Sequence, residues 1–259
     1  MSLAQLLQWN LSLFILIFAR WTGMIILAPV FGARGVPVLI KIGIAGSLSV
    51  ILYPLASAWQ PEIPGEVLLL IALVIKESLI GLVIGFIIYA LTAVLQGAGQ
   101  LIDLQMGFTM GNIIDPVYGM QSPLMGNFQL VVATMLLLAT NSHHYLIAAM
   151  VKSYTFIPIN VSSSPAGFVF YVNLAANIFV LSVQIAAPVI GAILLADLGV
   201  GLLIRIVPQL NIFSVVFPLK ILFGFIVLFL MIPLFGGTIT HLFDSSLAWL
   251  TQFYQGWKQ

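Results

Sequence analysis

Residues Val67–Gln96, VLLLIALVIKESLIGLVIGFIIYALTAVLQ, decide how this chain must fold. The run is apolar almost throughout, and its only charges are Lys76 and Glu77. As a helix it would reach about 45 Å, half as long again as the ~30 Å hydrocarbon core of a bilayer. Such a helix must tilt, break or stand partly outside lipid. The charges sharpen the point, because an ionised side chain at the centre of a lipid-facing helix costs roughly 2.5–3.5 kcal/mol on insertion scales. As sequence neighbours, Lys76 and Glu77 lie about 100° apart around a helix and do not face each other. Each needs a partner elsewhere, and Arg20 is available for Glu77. In the same run Gly81 and Gly85 form a GxxxG face, which lets a second backbone approach closely.

Five further apolar segments lie outward of this one, at roughly 11–32, 38–58, 128–151, 168–203 and 211–236. All but 168–203 have the length of a simple span of about 20 residues. That segment is too long, like 67–96, and Pro188 offers it a kink point. Arg20 lies near the middle of the first segment and Asp197 late in the long one. Left unpaired in lipid, Arg20, Lys76, Glu77 and Asp197 would together cost on the order of 10 kcal/mol, comparable to a domain's whole stability. These charges therefore face protein or water. Asn173, Asn177 and Gln184 fall within about 40° of one another on a straight helix. That polar stripe suits interhelical hydrogen bonds or a water-lined path. From Ile239 to Trp257, the residues Leu242, Phe243, Leu247, Leu250, Phe253, Tyr254 and Trp257 recur at helical spacing. This amphipathic helix suits a membrane surface or docking on a neighbour. Docking is favoured, because Lys258 is its only lysine.

Composition agrees. The chain has 259 residues, 62% hydrophobic and only 6% charged, where a soluble domain carries about 25% charged residues. An all-α integral membrane protein, or a subunit buried in an apolar assembly, is expected. A net charge of +1 offers no electrostatic footprint for nucleic acid. The absence of cysteine excludes disulfides, thiolate metal sites and cysteine nucleophiles. The opening MSLAQLLQWN has no basic stretch ahead of an apolar run, so it is expected to stay in the mature chain. Arg34, Lys41, Arg205 and Lys220 flank the first and last loops and weight those loops towards the cytoplasmic side.

Between the third and fourth segments lies Gly97–Phe128, GAGQLIDLQMGFTMGNIIDPVYGMQSPLMGNF, with six glycines and four of the nine methionines. Glycine lets a backbone bend, and methionine is unbranched and soft. A pliant loop over about 98–127 suits a deformable seal better than a catalytic site. Asp103 and Asp115 stand twelve residues apart with glycines between, which gives no dependable acid/base geometry. Asp115-Pro116 reads as a turn starter. Adjacent His143 and His144 diverge on a helix, so capping or headgroup contact suits them better than metal ligation. HExxH, GxSxG, Walker A and GxGxxG motifs are all absent. No catalytic residue, metal or cofactor is expected.

Several motifs then converge on one resemblance. Ala19-Arg20-Trp21-Thr22-Gly23, Ala28-Pro29-Val30-Phe31-Gly32, Val36-Pro37 and Lys41-Ile42-Gly43 resemble the opening of the flagellar FliR family and its virulence type III secretion counterparts. Gly99-Gln100-Leu101-Ile102-Asp103, Gln105-Met106-Gly107-Phe108 and the Asp115-Pro116, Gly119, Gln121, Pro123 pattern resemble that family's central loop. Asn141-Ser142-His143-His144, Val207-Pro208-Gln209-Leu210-Asn211-Ile212-Phe213 and Phe217-Pro218-Leu219-Lys220 complete the series, in order along nearly the whole chain. The loop looks more flagellar than injectisome-like.

The resemblance implies one helical export-gate domain over 1–259, built as membrane-associated helical hairpins. It would sit in the bacterial inner membrane at the flagellar basal body. Its partners would be FliP-like and FliQ-like hydrophobic subunits, an FlhB-like subunit and membrane lipid, and its cargo unfolded flagellar proteins. The equivalent loop of the family projects into the channel and helps close it. By motif, Met106, Gly107, Phe108, Met110, Asp115, Pro116 and Gly119 would lie in that plug, with Met120 and Met125 flanking it. Two other readings compete: a virulence injectisome gate subunit, and a proton-coupled solute carrier using Arg20, Lys76, Glu77 and Asp197 as a relay.

Overall fold

The structure is a computed structural model that describes residues 11–33, 35–58, 66–108, 123–159, 167–207 and 215–256. Among these residues it contains helices and no strand. In chain order the helices are α1 Leu11–Leu27, α2 Val38–Ala58, α3 Val67–Met106, α4 Leu124–Ala139, α5 His143–Phe156, α6 Phe168–Ile206 and α7 Phe217–Gly256. Three of them, α2, α3 and α6, are long and apolar enough to cross a membrane.

The apolar runs and the helices coincide closely for α2 and differ elsewhere for local reasons. The first run stops as a helix at Leu27, because Pro29 disfavours helical backbone at Ala28 and Val30 takes a positive φ of 71°. At 17 residues α1 spans only about 26 Å. The long third run does not end at Gln96 but continues to Met106, giving a 40-residue helix of about 60 Å. Residues 98–106 are thus helix, and the central loop is shorter than its composition suggested. The fourth run is not a single straight helix but a pair bent by 76°. It breaks between α4 and α5, where Thr140 Oγ1 donates back to the Leu136 carbonyl at 2.8 Å and Asn141 takes a φ of 54°. In α6, Pro188 is absorbed inside one continuous 39-residue helix. The sixth run and the amphipathic tail join in α7, which bends by 67° at the break between Pro233 and Gly236.

The chain sorts into two compact units. The first comprises 1–90, 141–170 and 245–259, and the second 91–140 and 171–244. In the first unit α1 is buried on nearly every side: Leu16, Ile17, Arg20, Trp21, Met24 and Ile25 are almost fully enclosed. That explains a helix without a polar stripe, since an all-round apolar helix is a core helix. The second unit has its own core of Ala98, Ile102, Met106, Met125, Ala186, Val189, Ile193 and Leu228. Much of the outer surface is apolar, including Leu39 on α2, Leu68 on α3, Leu195 on α6 and Phe229 on α7. Such a surface is stable only against lipid or against other apolar protein.

Candidate functional site

The first unit is organised around one buried cation. Arg20 and Glu77 are both 0% exposed and form an ion pair, Arg20 Nε donating to Glu77 Oε2. Arg20 Nη1 donates to Ser153 Oγ at 3.0 Å, and Nη2 to the Ile157 carbonyl at 2.9 Å. The guanidinium carbon lies 4.1 Å from the centre of the Tyr154 ring. One side chain on α1 therefore ties α3 to both ends of the α5 C-terminal turn. A buried charge is tolerated when it is paired and its donors are occupied, as here. Lys76 is half-buried on α3 and takes no part in these four contacts.

The close approach of α1 and α3 rests on glycine. A Cβ at Gly81 would collide with the Arg20 carbonyl oxygen, and one at Gly85 would come within 2.7 Å of the Met24 carbonyl oxygen. From the other side, a Cβ at Gly23 would lie 2.9 Å from the Leu82 amide nitrogen. The GxxxG face is a seat for α1 of the same chain. The amphipathic tail also seats within this unit: Tyr254 Oη donates to the Ala149 carbonyl at 2.9 Å, and its ring stacks on Phe156 at 5.3 Å. Trp257 and Lys258 lie outside the described residues.

In the second unit the ends of the central loop meet. Gly107 has a φ of +89°, and helix α3 stops there in a Schellman arrangement. The Phe108 amide donates to the Asp103 carbonyl at 3.1 Å, and the Gly107 amide to the Leu104 carbonyl at 3.3 Å. The Asp103 side chain, 3% exposed, accepts the Met125 amide at 3.1 Å and 3.2 Å through its two oxygens. Helix α4 has Pro123 at its N-cap, which provides no side-chain cap, so Asp103 of α3 fills that role. Gly99 and Gly126 lie back to back, with no room for a side chain on Gly99.

Of the expected plug residues, Met106 and Met125 pack in the core of this unit. Met106 lies against Gly224, where a Cβ would come within 2.6 Å of its Cε. Phe108 meets Phe225 edge-on, with ring centres 5.9 Å apart. Met110, Asp115, Pro116, Gly119 and Met120 lie outside the described residues, as do Pro208, Gln209 and Asn211.

Asp197 pairs with Lys220, whose Nζ stands 2.9 Å from Oδ2 and joins α6 to the first turn of α7 beside Pro218. Asn173, Asn177 and Gln184 are all exposed along α6. Gln184 borders a cleft of about 530 Å³ that also holds Thr238 and His241. His143 and His144 open α5, and His144 Nδ1 lies 3.2 Å from the Asn141 carbonyl.

Three contributors have roles that the sequence does not announce. Asp103 caps a helix that begins twenty-one residues later, and no local pattern marks an acid near the end of one helix as the cap of the next. Ser153 and Tyr154 gave no local signal, since they act through a residue more than 130 positions away.

The chain also has clear relatives. Residues 11–246 match the family described as bacterial export proteins, family 1. Flagellar biosynthetic protein FliR of Bacillus subtilis (strain 168) is 35% identical over 238 residues, covering 90% of this chain and 91% of that protein. FliR of Escherichia coli (strain K12) is 30% identical over 242 residues, covering 93% and 92%. Yop proteins translocation protein T of Yersinia pestis is 30% identical over 225 residues, covering 84% and 85%.

Proposed function

The chain belongs to the bacterial export proteins, family 1, and on that premise we propose that it is a subunit of the flagellar type III protein-export gate. The observation that carries this reading is the 35% identity to a FliR protein over nine-tenths of both chains. The Yersinia relative supports the same role in a virulence secretion system, at lower identity and coverage. Replacing the flagellar gene of a host by this chain tests the choice. Restored swimming and flagellin export are expected, and restoration of virulence-factor secretion alone would overturn the flagellar assignment.

The finer reading extends this role. The chain would act in the inner membrane at the basal body, with FliP-like, FliQ-like and FlhB-like subunits covering its apolar faces. Its exposed leucines and phenylalanines support burial by protein or lipid. The segment between Gly107 and Gly119 would act as the seal of the shared conduit. Support comes from the three glycines and Met110 of that segment, from Met120 just beyond it, and from the tethering of its two roots to one unit. Soft side chains close a gap through many small contacts and part again for a passing chain. Deleting residues 107–119 should raise ion leak through the assembled gate while co-purification of the partners persists. Unchanged leak and unchanged export would sink the seal reading. The pairing of Arg20 with Glu77 and of Asp197 with Lys220 supports structural roles for these charges rather than the relay of the carrier alternative.

A further inference from the structure

One residue stands at both roots of the central loop. The main-chain carbonyl of Asp103 receives the Phe108 and Gly107 amides, each at 3.1 Å, and so ends α3 before the loop. Its carboxylate receives the Met125 amide and so begins α4 after the loop. The two functions lie on opposite chemical faces of one amino acid. Asp103 is 3% exposed, and its carboxylate reaches the first turn of α4. A carboxylate placed there meets the positive end of the α4 dipole and satisfies an amide that Pro123 leaves uncapped. A second observation shows the same two helix ends in close approach. Gly99, one turn earlier on α3, touches the backbone of Gly126, one residue beyond Met125.

We propose that Asp103 is the positioning residue of the central loop, holding the end of α3 and the start of α4 side by side at the loop's two roots. The inference rests on the gate reading only for its consequence, not for its geometry. Loss of the carboxylate leaves the Schellman turn intact, because that turn uses the main chain. It frees the first turn of α4, so the returning root drifts while the departing root stays.

The test uses the chain purified in mild detergent with the export components that co-purify with it. Because the chain has no cysteine, spin labels can be placed without removing native ones. One label pair goes on Leu104→Cys and Leu124→Cys, both exposed at the loop roots. A control pair goes on Leu195→Cys and Leu222→Cys, which report packing of α6 on α7. Dipolar distance measurements should give a narrow peak for both pairs in the parent chain. Asp103→Ala should lose the narrow root peak and keep the control peak. Asp103→Asn, which retains an acceptor oxygen, should restore the root peak. A narrow root peak in Asp103→Ala would overturn the proposal. So would loss of both peaks, which would make Asp103 a general packing residue. If the roots separate while ion leak and export stay as in the parent, the clasp stands and the seal reading fails instead.

Discussion

Replacing Glu77 by methionine isolates the electrostatics of the first unit. Arg20 would keep its bonds to Ser153 and Ile157 but lose the only anion it is paired with among the described residues. Removing one partner of a buried ion pair costs about 3–5 kcal/mol, because the remaining charge is stranded. Arg20→Met is expected to cost a similar amount by stranding Glu77. The double variant Arg20→Met/Glu77→Met strands neither charge. It loses the Arg20 bonds to Ser153 and the Ile157 carbonyl and the contact with the Tyr154 ring, together about 2 kcal/mol. Glu77 Oε1 already has no hydrogen-bond partner among the described residues, so little else is lost with it. With about 4 kcal/mol for each single change and about 2 for the pair, the coupling is about 6 kcal/mol. In thermal melts in detergent, each single variant should fall by about 8–16 °C and the double by about half as much. A Glu77→Met variant that melts with the parent would show that Arg20 needs no counter-ion. A double variant as unstable as the sum of the singles would show that packing, not charge, sets the cost.

Three further expectations use the same melts. Gly81→Ala should cost about 1–3 kcal/mol through overpacking against the Arg20 backbone, whereas Gly191→Ala, with open space around it, should be neutral or slightly stabilising. Tyr254→Phe should lose about 1 kcal/mol with the bond to Ala149, and Tyr254→Ala about 3–5 kcal/mol with the stacked ring as well; equal losses would mean the tail is not seated on α5. Gly107→Ala should cost about 1 kcal/mol, from the positive φ and the approach to Phe217 within 3.1 Å, and an unaltered melt would argue against the Schellman turn.

What could be read from the residues alone was local. The run 38–58 became α2 with the same bounds: Pro37 stands just before its start, and the helix absorbs Pro54 one turn before its end. The GxxxG of α3 pointed to a close backbone contact, because only glycine permits one, though not to α1 as the neighbour. The extension of α3 through Gly97 and Gly99 was not legible. Glycine disfavours helix by about 1 kcal/mol per residue, and the outcome turned on packing: Gly97 sits against Ser182, and Gly99 against Gly126. The break in 128–151 falls on the polar Thr140-Asn141-Ser142-His143-His144, which is too short to split an apolar run by average hydropathy, although Asn is the residue that best tolerates the left-handed backbone found at 141. The partners of Arg20 lie 57, 133 and 137 positions along the chain, distances over which pattern carries no information.

The first unit is threaded from three separate lengths of chain, and this affects how it can be made. Phe156 leaves the ribosome about 100 residues before the Tyr254 that stacks on it, a wait of 5–20 s at ordinary elongation rates. Through that interval α5 has no tail to cover it. A nascent chain in that condition is a natural client for insertion factors and membrane proteases. A message broken before codon 245 would yield a product that cannot close this unit, so the cell has a simple criterion for discarding it.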